Sequence, residues 1–429
     1  MSSDVARVLD GPMPRSGRAP LTVLLLASTL GVMGGATIVP VIEVIRQALA
    51  VGGTAAGLML TAHSLAIAVV SPLAGRATDR YGARLPLAAG LVVYALGGGA
   101  GLVISSYPLL LASRLVLGAG AAAVFTCSTA ALLGLYRGEM RDKVMGWRTT
   151  ATTAGGFIYP LAPGALGNLS WHAPFAIYLI GVPLGAATWI ALPKGAPTSD
   201  RTPTSDRTPT GAGGRGGALR LLRGRPLLLG LCGLWVATTG LMMVLAVSLP
   251  RRLDELGIDD TLLVALYGTV LASAAAGLVG LCYSRLTARF GHVMLLRVAA
   301  AAWTAALLLF AVAGHWSPLL AVPVLTGVGS GVTMPTLTVL VDRAAPAGQR
   351  GTATSLQATA LFGGQFASPL LFGPLIDATS IATGALVAAA GCAGILAALL
   401  RLREPESPDE EETEWGVQKT QDAPLGDPT

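Results

Sequence analysis

Long apolar runs, separated by short polar stretches rich in Arg, recur along the whole of the 429-residue chain. Twelve can be marked, near 21–45, 54–74, 86–106, 108–133, 144–167, 172–192, 227–250, 262–284, 293–314, 317–340, 353–376 and 380–401. Each is close to the roughly 20 residues that a helix needs to cross a bilayer. Helix is the expected form, because an open strand edge leaves backbone groups unsatisfied in hydrocarbon. The runs are also too long and too continuously apolar for barrel strands.

Composition agrees. Hydrophobic residues make up 53% of the chain and charged residues 12%, and the mean hydropathy is +0.65. A soluble protein carries about 25% charge, so there is too little polar side chain to cover the surfaces of two or three soluble domains. The 55 glycines show no triplet period, which excludes collagen. Cys127, Cys232, Cys282 and Cys392 lie inside apolar runs, without metal-ligand spacing, so neither a disulfide scaffold nor a metal site is expected. The expectation is an all-α membrane protein of twelve transmembrane helices.

The net charge of +6 does not point to nucleic acid, because few basic residues lie within the runs. Arg outnumbers Lys 26 to 3, as a GC-rich bacterial genome would give. With both termini cytoplasmic, 25 of the 29 basic residues fall inside, and only Arg46, Arg251 and Arg252 outside; Arg114 is buried in a span. The positive-inside rule therefore orients the chain in the plasma membrane. No short apolar core with a cleavage site opens the sequence, so no cleaved signal peptide is expected. The chain divides into a cytoplasmic tail (1–20), a six-span bundle (21–192), a linker (193–226), a second six-span bundle (227–402) and an acidic tail (403–429). The linker repeats Pro-Thr-Ser-Asp-Arg-Thr in tandem before a Gly-rich stretch, and it and the acidic tail are expected to be disordered.

The two halves match at a constant shift of 209 residues. Arg76 lies over Arg285, Arg80 over Arg289, Gly82 over Gly291, Gly118 over Gly327, Gly120 over Gly329, Gly155 over Gly364 and Gly164 over Gly373. Six spans per half is an even number, so both halves enter from the same side. The repeats are then parallel, related by an axis along the membrane normal, and enclose a midplane cavity that opens by rocking.

Between spans two and three stands Gly75-Arg-Ala-Thr-Asp-Arg-Tyr-Gly-Ala-Arg84, expected as a short cytoplasmic turn. It resembles the G-x-x-x-D-R-x-G-R-[KR] loop of the major facilitator superfamily at Gly75, Asp79, Arg80 and Gly82, with Arg84 beside Ala83. The resemblance implies a twelve-helix transporter and a cytoplasmic latch in which Asp79 meets the start of span eleven near Gly351. The second copy carries Ala288 in place of Asp79, so that latch is one-sided. Arg114-x-x-x-Gly118-x-Gly120 in span four resembles a pattern of the drug/proton antiporter branch. Gly155-Gly-Phe-Ile-Tyr-Pro-Leu-Ala-Pro-Gly164 in span five is similar to an exporter element, with Tyr159 and Pro163 replacing glycines. Gly155, Pro160, Pro163 and Gly164 are equally readable as helix packing. Gly31xxxGly35, Gly97xxxGly101 and Gly327xxxGly331 are close-packing contacts first.

Of 23 carboxylates, only Glu43, Asp342 and Asp377 touch the expected spans, each near an end. His63, halfway along span two, is the one titratable side chain near the midplane. It is either a proton carrier or a neutral side chain bonded across helices to Gln365. A buried Arg is costly without a partner, and Glu43 is the candidate partner of Arg114. By the resemblance, spans one, four, seven and ten line the cavity, with Met33, Thr37, Arg114, Phe125, Trp235, Thr239, Met242 and Thr336 as candidates. That apolar, aromatic wall favours amphiphilic organic molecules over sugars or ions.

The resemblance therefore implies an alternating-access transporter, a proton-coupled exporter of small hydrophobic or amphiphilic compounds such as drugs or natural products. The alternative is an uncoupled facilitator or importer of a small organic metabolite, favoured by the missing midplane carboxylate. The expected partners are the substrate and the lipid bilayer, the working unit a monomer, and the energy source the proton motive force rather than a cofactor. An enzyme is not expected, because His63, His172, His292 and His315 lie far apart and no catalytic motif is present.

Overall fold

A computed structural model describes residues 18–136, 138–193, 223–345 and 350–401. The terminal tails and the linker fall almost wholly outside these residues. Helix α1 (Arg18–Ala36) continues through a 3-10 turn (Val39–Val41) into Ile42–Ala48, with Arg18–Gly31 inclined at 52° to Met33–Ala48. Then come α2 (Gly53–Tyr81), α3 (Arg84–Gly99), α4 (Tyr107–Leu135), α5 (Gly138–Gly167) and α6, a 3-10 stretch (Ala173–Ile180) running into Gly181–Ala191. The second half holds α7 (Pro226–Glu255) and α8, which runs from Thr261–Ala265 through a π-turn (Leu266–Val270) to Leu271–Leu281. It continues with α9 (Tyr283–Val312), α10 (Trp316–Leu319, then Ala321–Ala344), α11 (Arg350–Ala378) and α12 (Ile381–Arg401).

Ten of these are long and apolar enough to cross a membrane, and the bent α1 makes an eleventh. The twelfth, α5, is 30 residues long but opens with Gly-Glu-Met-Arg-Asp-Lys, which dilutes its apolar average. No strand occurs among the described residues. Large apolar side chains such as Val103, Ile190, Leu281 and Leu371 are 70–84% exposed. Exposure on that scale fits a surface solvated by lipid rather than water.

Helices α1–α6 form one bundle and α7–α12 the other. In the first, α4 packs on α2 and α3, α1 on α5, and α3 on α6; in the second, α10 packs on α8 and α9, α7 on α11, and α9 on α12. The second set is the first with six added to each number. The bundles meet where α2 packs on α11 and α5 on α8, which the same rule interchanges.

The repeat extends to single atoms. Gly82 and Gly291, 209 residues apart, both turn the chain with φ of 73° and ψ near 168°, a conformation open to glycine and costly for other residues. A Cβ on Gly118 would strike the His63 carbonyl and the Ala66 methyl; one on Gly327 would strike Ala272 and Ala275 in the same way. Each struck residue is again 209 places from its counterpart. Likewise Gly120 lies against Tyr94 and Gly329 against Trp303. These glycines let α4 and α10 approach their neighbours at backbone distance, the mode of helix association that an apolar solvent leaves available.

One local expectation is corrected. The Gly75–Tyr81 segment is not a turn but the last two turns of α2, which outruns its apolar stretch by seven residues. Only Gly82 reverses the chain, because its polar neighbours continue a helix as readily in the interfacial layer as in water.

Gly120→Leu has no room beside the Tyr94 backbone. It is expected to cost about 1–3 kcal/mol by overpacking, seen as a lower melting temperature of the detergent-purified protein. Gly230→Ala, with no atom within 4 Å of the new Cβ, should leave the melting temperature unchanged.

Candidate functional site

The two ends of the molecule differ in charge. One side, with the connections near 82, 137, 193–225, 282–291 and 345–350, carries most of the Arg; the other, with those near 49, 104, 168, 256, 314 and 379, carries little. Hydrogen bonds that tie the bundles together gather on the Arg-poor side. Asp377, at the end of α11, accepts from the backbone N–H of Thr54 (3.0 Å) and its hydroxyl (2.7 Å) at the start of α2. Arg251 of α7 stands 3.8 Å from the same carboxylate. Gln47 donates to Asp254 at 3.1 Å. Across the other seam, Asn168 donates to Asp260 at 3.0 Å and accepts from Thr261 N–H and hydroxyl. The Thr261 hydroxyl also reaches the Gly164 carbonyl.

A pocket of about 510 Å³, solvent space included, lies among these groups, bordered by Glu43, Arg46, Arg251, Ser368 and Asp377. Nearer the middle, Ser64 donates to Gln365 (2.9 Å) and Ser273 to the Gly156 carbonyl (3.2 Å). The charged contacts are partly exposed, and such pairs are worth roughly 0–1 kcal/mol each. The Arg-poor side is held shut by many weak bonds, a closure that can be reopened.

The buried charges answer the question of pairing. Glu43 does not meet Arg114. It accepts both from Arg46 Nε (2.9 and 3.0 Å) and from Gln47 (3.1 Å) on its own helix segment. Arg114, 1% exposed, donates to the carbonyls of Gly98 (2.9 Å) and Gly97 (3.3 Å). Those carbonyls end α3, where the helix dipole is negative. The rings of Phe175 and Tyr178 lie 5.0 and 5.1 Å from the guanidinium. They share a face because the 3-10 stretch of α6 has three residues per turn. Arg114 thus fastens α4 to α3 and α6, facing away from any cavity.

His63 is buried, its ring against Gly34 and Gly35 of α1. Its Nδ1 has no hydrogen-bond partner, and Gln365 is taken by Ser64 instead.

Most of the expected cavity wall is packed away. Met33, Thr37, Trp235, Thr239 and Thr336 are each buried. Trp235 belongs to the core between α7, α9, α10 and α11. Thr239 donates to the Trp235 and Leu361 carbonyls, and Thr336 to the Tyr283 hydroxyl. Met242 is half-buried against the other core of that bundle. Alternating helical faces decide this, and membership of a lining helix does not reveal which face points inward.

Phe125 is the exception, at 44% exposed. Eleven residues separate it from Arg114, about 20° round the helix. The same face of α4 is thus sealed in the Arg-poor half and open in the Arg-rich half. Around Phe125 stand groups that the sequence reading did not single out. Arg148 of α5 lies 5.2 Å from the ring centre and donates to Ser28 of α1 at 3.2 Å. Thr29, the residue after Ser28, shares a 2.6 Å hydrogen bond with Tyr159, three turns along α5 from Arg148. Arg148, expected with the cytoplasmic arginines, is instead the fifth residue of the apolar run of α5 and turns inward toward α1 and α4. Gly155 permits this meeting, since a Cβ there would lie 3.2 Å from Thr29.

Gly164 and Pro163 are buried where α5 crosses α8, and Pro160 lies buried one turn earlier. Of the expected latch, Gly75 lies beside Thr126 of α4, Arg80 sits over Tyr81 and Arg84 stacks on Trp189 of α6 at 4.4 Å. Both arginines make these contacts within their own bundle. The Asp79 side chain and Gly351 fall outside the described residues.

The family model described as the Major Facilitator Superfamily matches residues 24–280 and 244–425. The chain belongs to this superfamily. The relatives and solved structures it resembles are membrane transporters. Multidrug resistance protein 1 of Bacillus subtilis (strain 168) is 28% identical over 155 residues, 36% of this chain and 40% of that protein. The hexuronate transporter of the same organism is 26% identical over 175 residues, 41% of this chain and 42% of that protein. The matches thus span about two fifths of these relatives' length. Among solved structures, the nucleoside transporter NupG superposes with a TM-score of 0.69 at 14% identity, covering 90% of this chain and 100% of that one. A bacterial homolog of the human lysosomal transporter Spinster, inward-facing and unoccupied, gives 0.68 at 16% identity, covering 91% and 96%.

Two outcomes follow from this geometry. Arg114→Ala, which strips the α3 terminus of its donor, is expected to lower the melting temperature by several degrees. Glu43→Gln, still bonded to Arg46 and Gln47, should barely move it, and the double variant should be additive. Asp377→Ala should loosen the Arg-poor closure. A cysteine replacing buried Ser248, in a background free of native cysteines, should then react faster with an impermeant maleimide applied from that side.

Proposed function

We propose that this transporter exports small hydrophobic or amphiphilic organic compounds, in exchange for protons, across the plasma membrane of a bacterium. The observation that carries the reading is the one-sided closure. The groups around Phe125 are open toward the Arg-rich side, while the Arg-poor side is tied shut. The positive-inside rule makes the Arg-rich side cytoplasmic, with both termini there. This state would load from the cytoplasm, where an exporter collects its cargo. Similarity to a multidrug resistance protein and to the Bacillibactin exporter of Bacillus subtilis (strain 168), 27% identical over 151 residues, supports the direction. Both halves of the pathway come from one chain, so a monomer suffices.

Coupling requires protonation and cargo to favour different states. His63 is the candidate carrier: it sits at the crossing of α1, α2 and α4 with one ring nitrogen unpartnered. The Asp79–Gly351 latch would then close the cytoplasmic side in the opposite state. The second reading, an uncoupled facilitator or importer, is favoured by the absence of any Asp or Glu from the middle of the spans.

A strain overproducing the protein is expected to tolerate some members of a panel of amphiphilic antibiotics better than a control, and a protonophore should abolish the difference. His63→Gln should remove gradient-driven accumulation in proteoliposomes yet retain substrate counterflow. Accumulation indifferent to an imposed pH gradient in the unmodified protein would establish the uncoupled reading instead.

A further inference from the structure

The chain places two arginines within its first bundle, and they fare differently. Arg114 is sealed between two carbonyls at the end of α3 and two aromatic rings, its Nε and Nη1 buried without a hydrogen-bond partner and out of reach of a ligand. Arg148 is only partly buried, and its described contacts are one serine hydroxyl and one ring. No ion pair among the described residues includes it. A guanidinium presents five donors in a planar fork, so Arg148 keeps donors free beside an open aromatic face.

Every Asp and Glu of the helices lies at an end: Glu43, Asp254, Glu255 and Asp377 toward the Arg-poor side, Asp79, Glu139, Asp142 and Asp342 toward the other. The open half of the pathway therefore holds a cation with no carboxylate at its depth. At the Arg-rich end, Arg76, Arg80, Arg285 and Arg289 stand together with the four carboxylates just named, so the charge preference of the pathway is set at Arg148.

We infer that Arg148, backed by Phe125 and Ser28, is the recognition point for an anionic group, and that the cargo is an amphiphilic organic anion: a carboxylate, sulfonate or phosphate on an aromatic or apolar body. The guanidinium fork pairs with the anion, and the exposed ring of Phe125 takes the apolar body. Ser28 holds the guanidinium from behind, and the bonded Tyr159–Thr29 pair closes the α1–α5 contact farther along α5. Gly31 of α1 faces the Phe125 ring without a side chain; a Cβ there would lie 3.6 Å from it. Cationic amphiphiles meet a like charge and no counter-ion, so they are disfavoured. This inference rests on the export reading and narrows its substrate class.

Everted membrane vesicles containing the full chain test it, with two xanthene dyes of similar size and opposite charge as probes, carboxyfluorescein and rhodamine 123. The unmodified protein is expected to take up carboxyfluorescein above control vesicles and to prefer it over rhodamine 123. Arg148→Gln should reduce kcat/KM for carboxyfluorescein at least about tenfold, mainly by raising KM, the loss expected for a charge-assisted hydrogen bond. Arg148→Lys should recover part of it. Uptake of rhodamine 123 equal to or greater than that of carboxyfluorescein overturns the anion assignment while leaving export standing. So does an unchanged carboxyfluorescein rate in a folded Arg148→Gln protein. Uptake of neither probe, together with no tolerance of any antibiotic in the panel, defeats the export reading itself. The comparison of the two dyes on the unmodified protein decides the charge preference even where the Gln variant fails to fold.

Discussion

Helices surrounded by lipid gain little from burying apolar surface against each other, because the solvent is as apolar as they are. Their association rests on close approach and on the few polar bonds between them. The columns Gly118–Gly120 on α4 and Gly327–Gly329 on α10 supply the approach, each at backbone distance from two neighbours. Arg114 supplies a buried polar bond from α4 to the end of α3, and its second copy has Pro323 at the matching position. The halves are therefore equivalent in backbone packing but not in charge. That difference puts the buried arginine in the first bundle, while most described ion pairs, Arg251 and Arg252 with Glu255 and Asp377, lie at the Arg-poor end of the second.

The seam between the bundles obeys another rule. It consists of glycines and small residues, Gly57 against Pro369, Gly164 against Ala265 and Gly373 against Thr54, finished at one end by partly exposed hydrogen bonds. Close packing lets the helices slide as rigid bodies, and weak, wet ion pairs exchange for water at little cost. A deep salt bridge across the seam would hold it in one state. The asymmetry between strong bonds within bundles and weak bonds between them is what a rocking transporter requires.

Much of this was legible before any coordinates. The apolar runs recover all twelve helices, with errors confined to ends: α2 and α5 extend beyond their runs because polar residues near a membrane surface remain good helix formers. The shift of 209 residues reappears as matching backbone angles at Gly82 and Gly291. The cavity was far less legible. Trp235, Thr239 and Thr336 lie on the expected helices but on faces turned into the bundle, and hydropathy has no phase in a helix that is apolar all round. Arg148 escaped notice because a basic residue at the edge of an apolar run reads as a surface charge. Its spacing to Gly155 and Tyr159, seven and eleven residues, was the available signal that these three share one helix face.

The sequence by itself determined the number of spans, their duplication, the side on which positive charge collects and the superfamily. Each of these depends on local apolarity or on spacing along one chain, which a linear string records in full. The tertiary structure alone decided the partners of Glu43, Arg114 and Gln365, the side on which the pathway is closed, and which arginine remains available. Those outcomes depend on how helices are rotated against one another. In a uniformly apolar helix rotation is set by contacts hundreds of residues apart, and the chain's own pattern does not encode it.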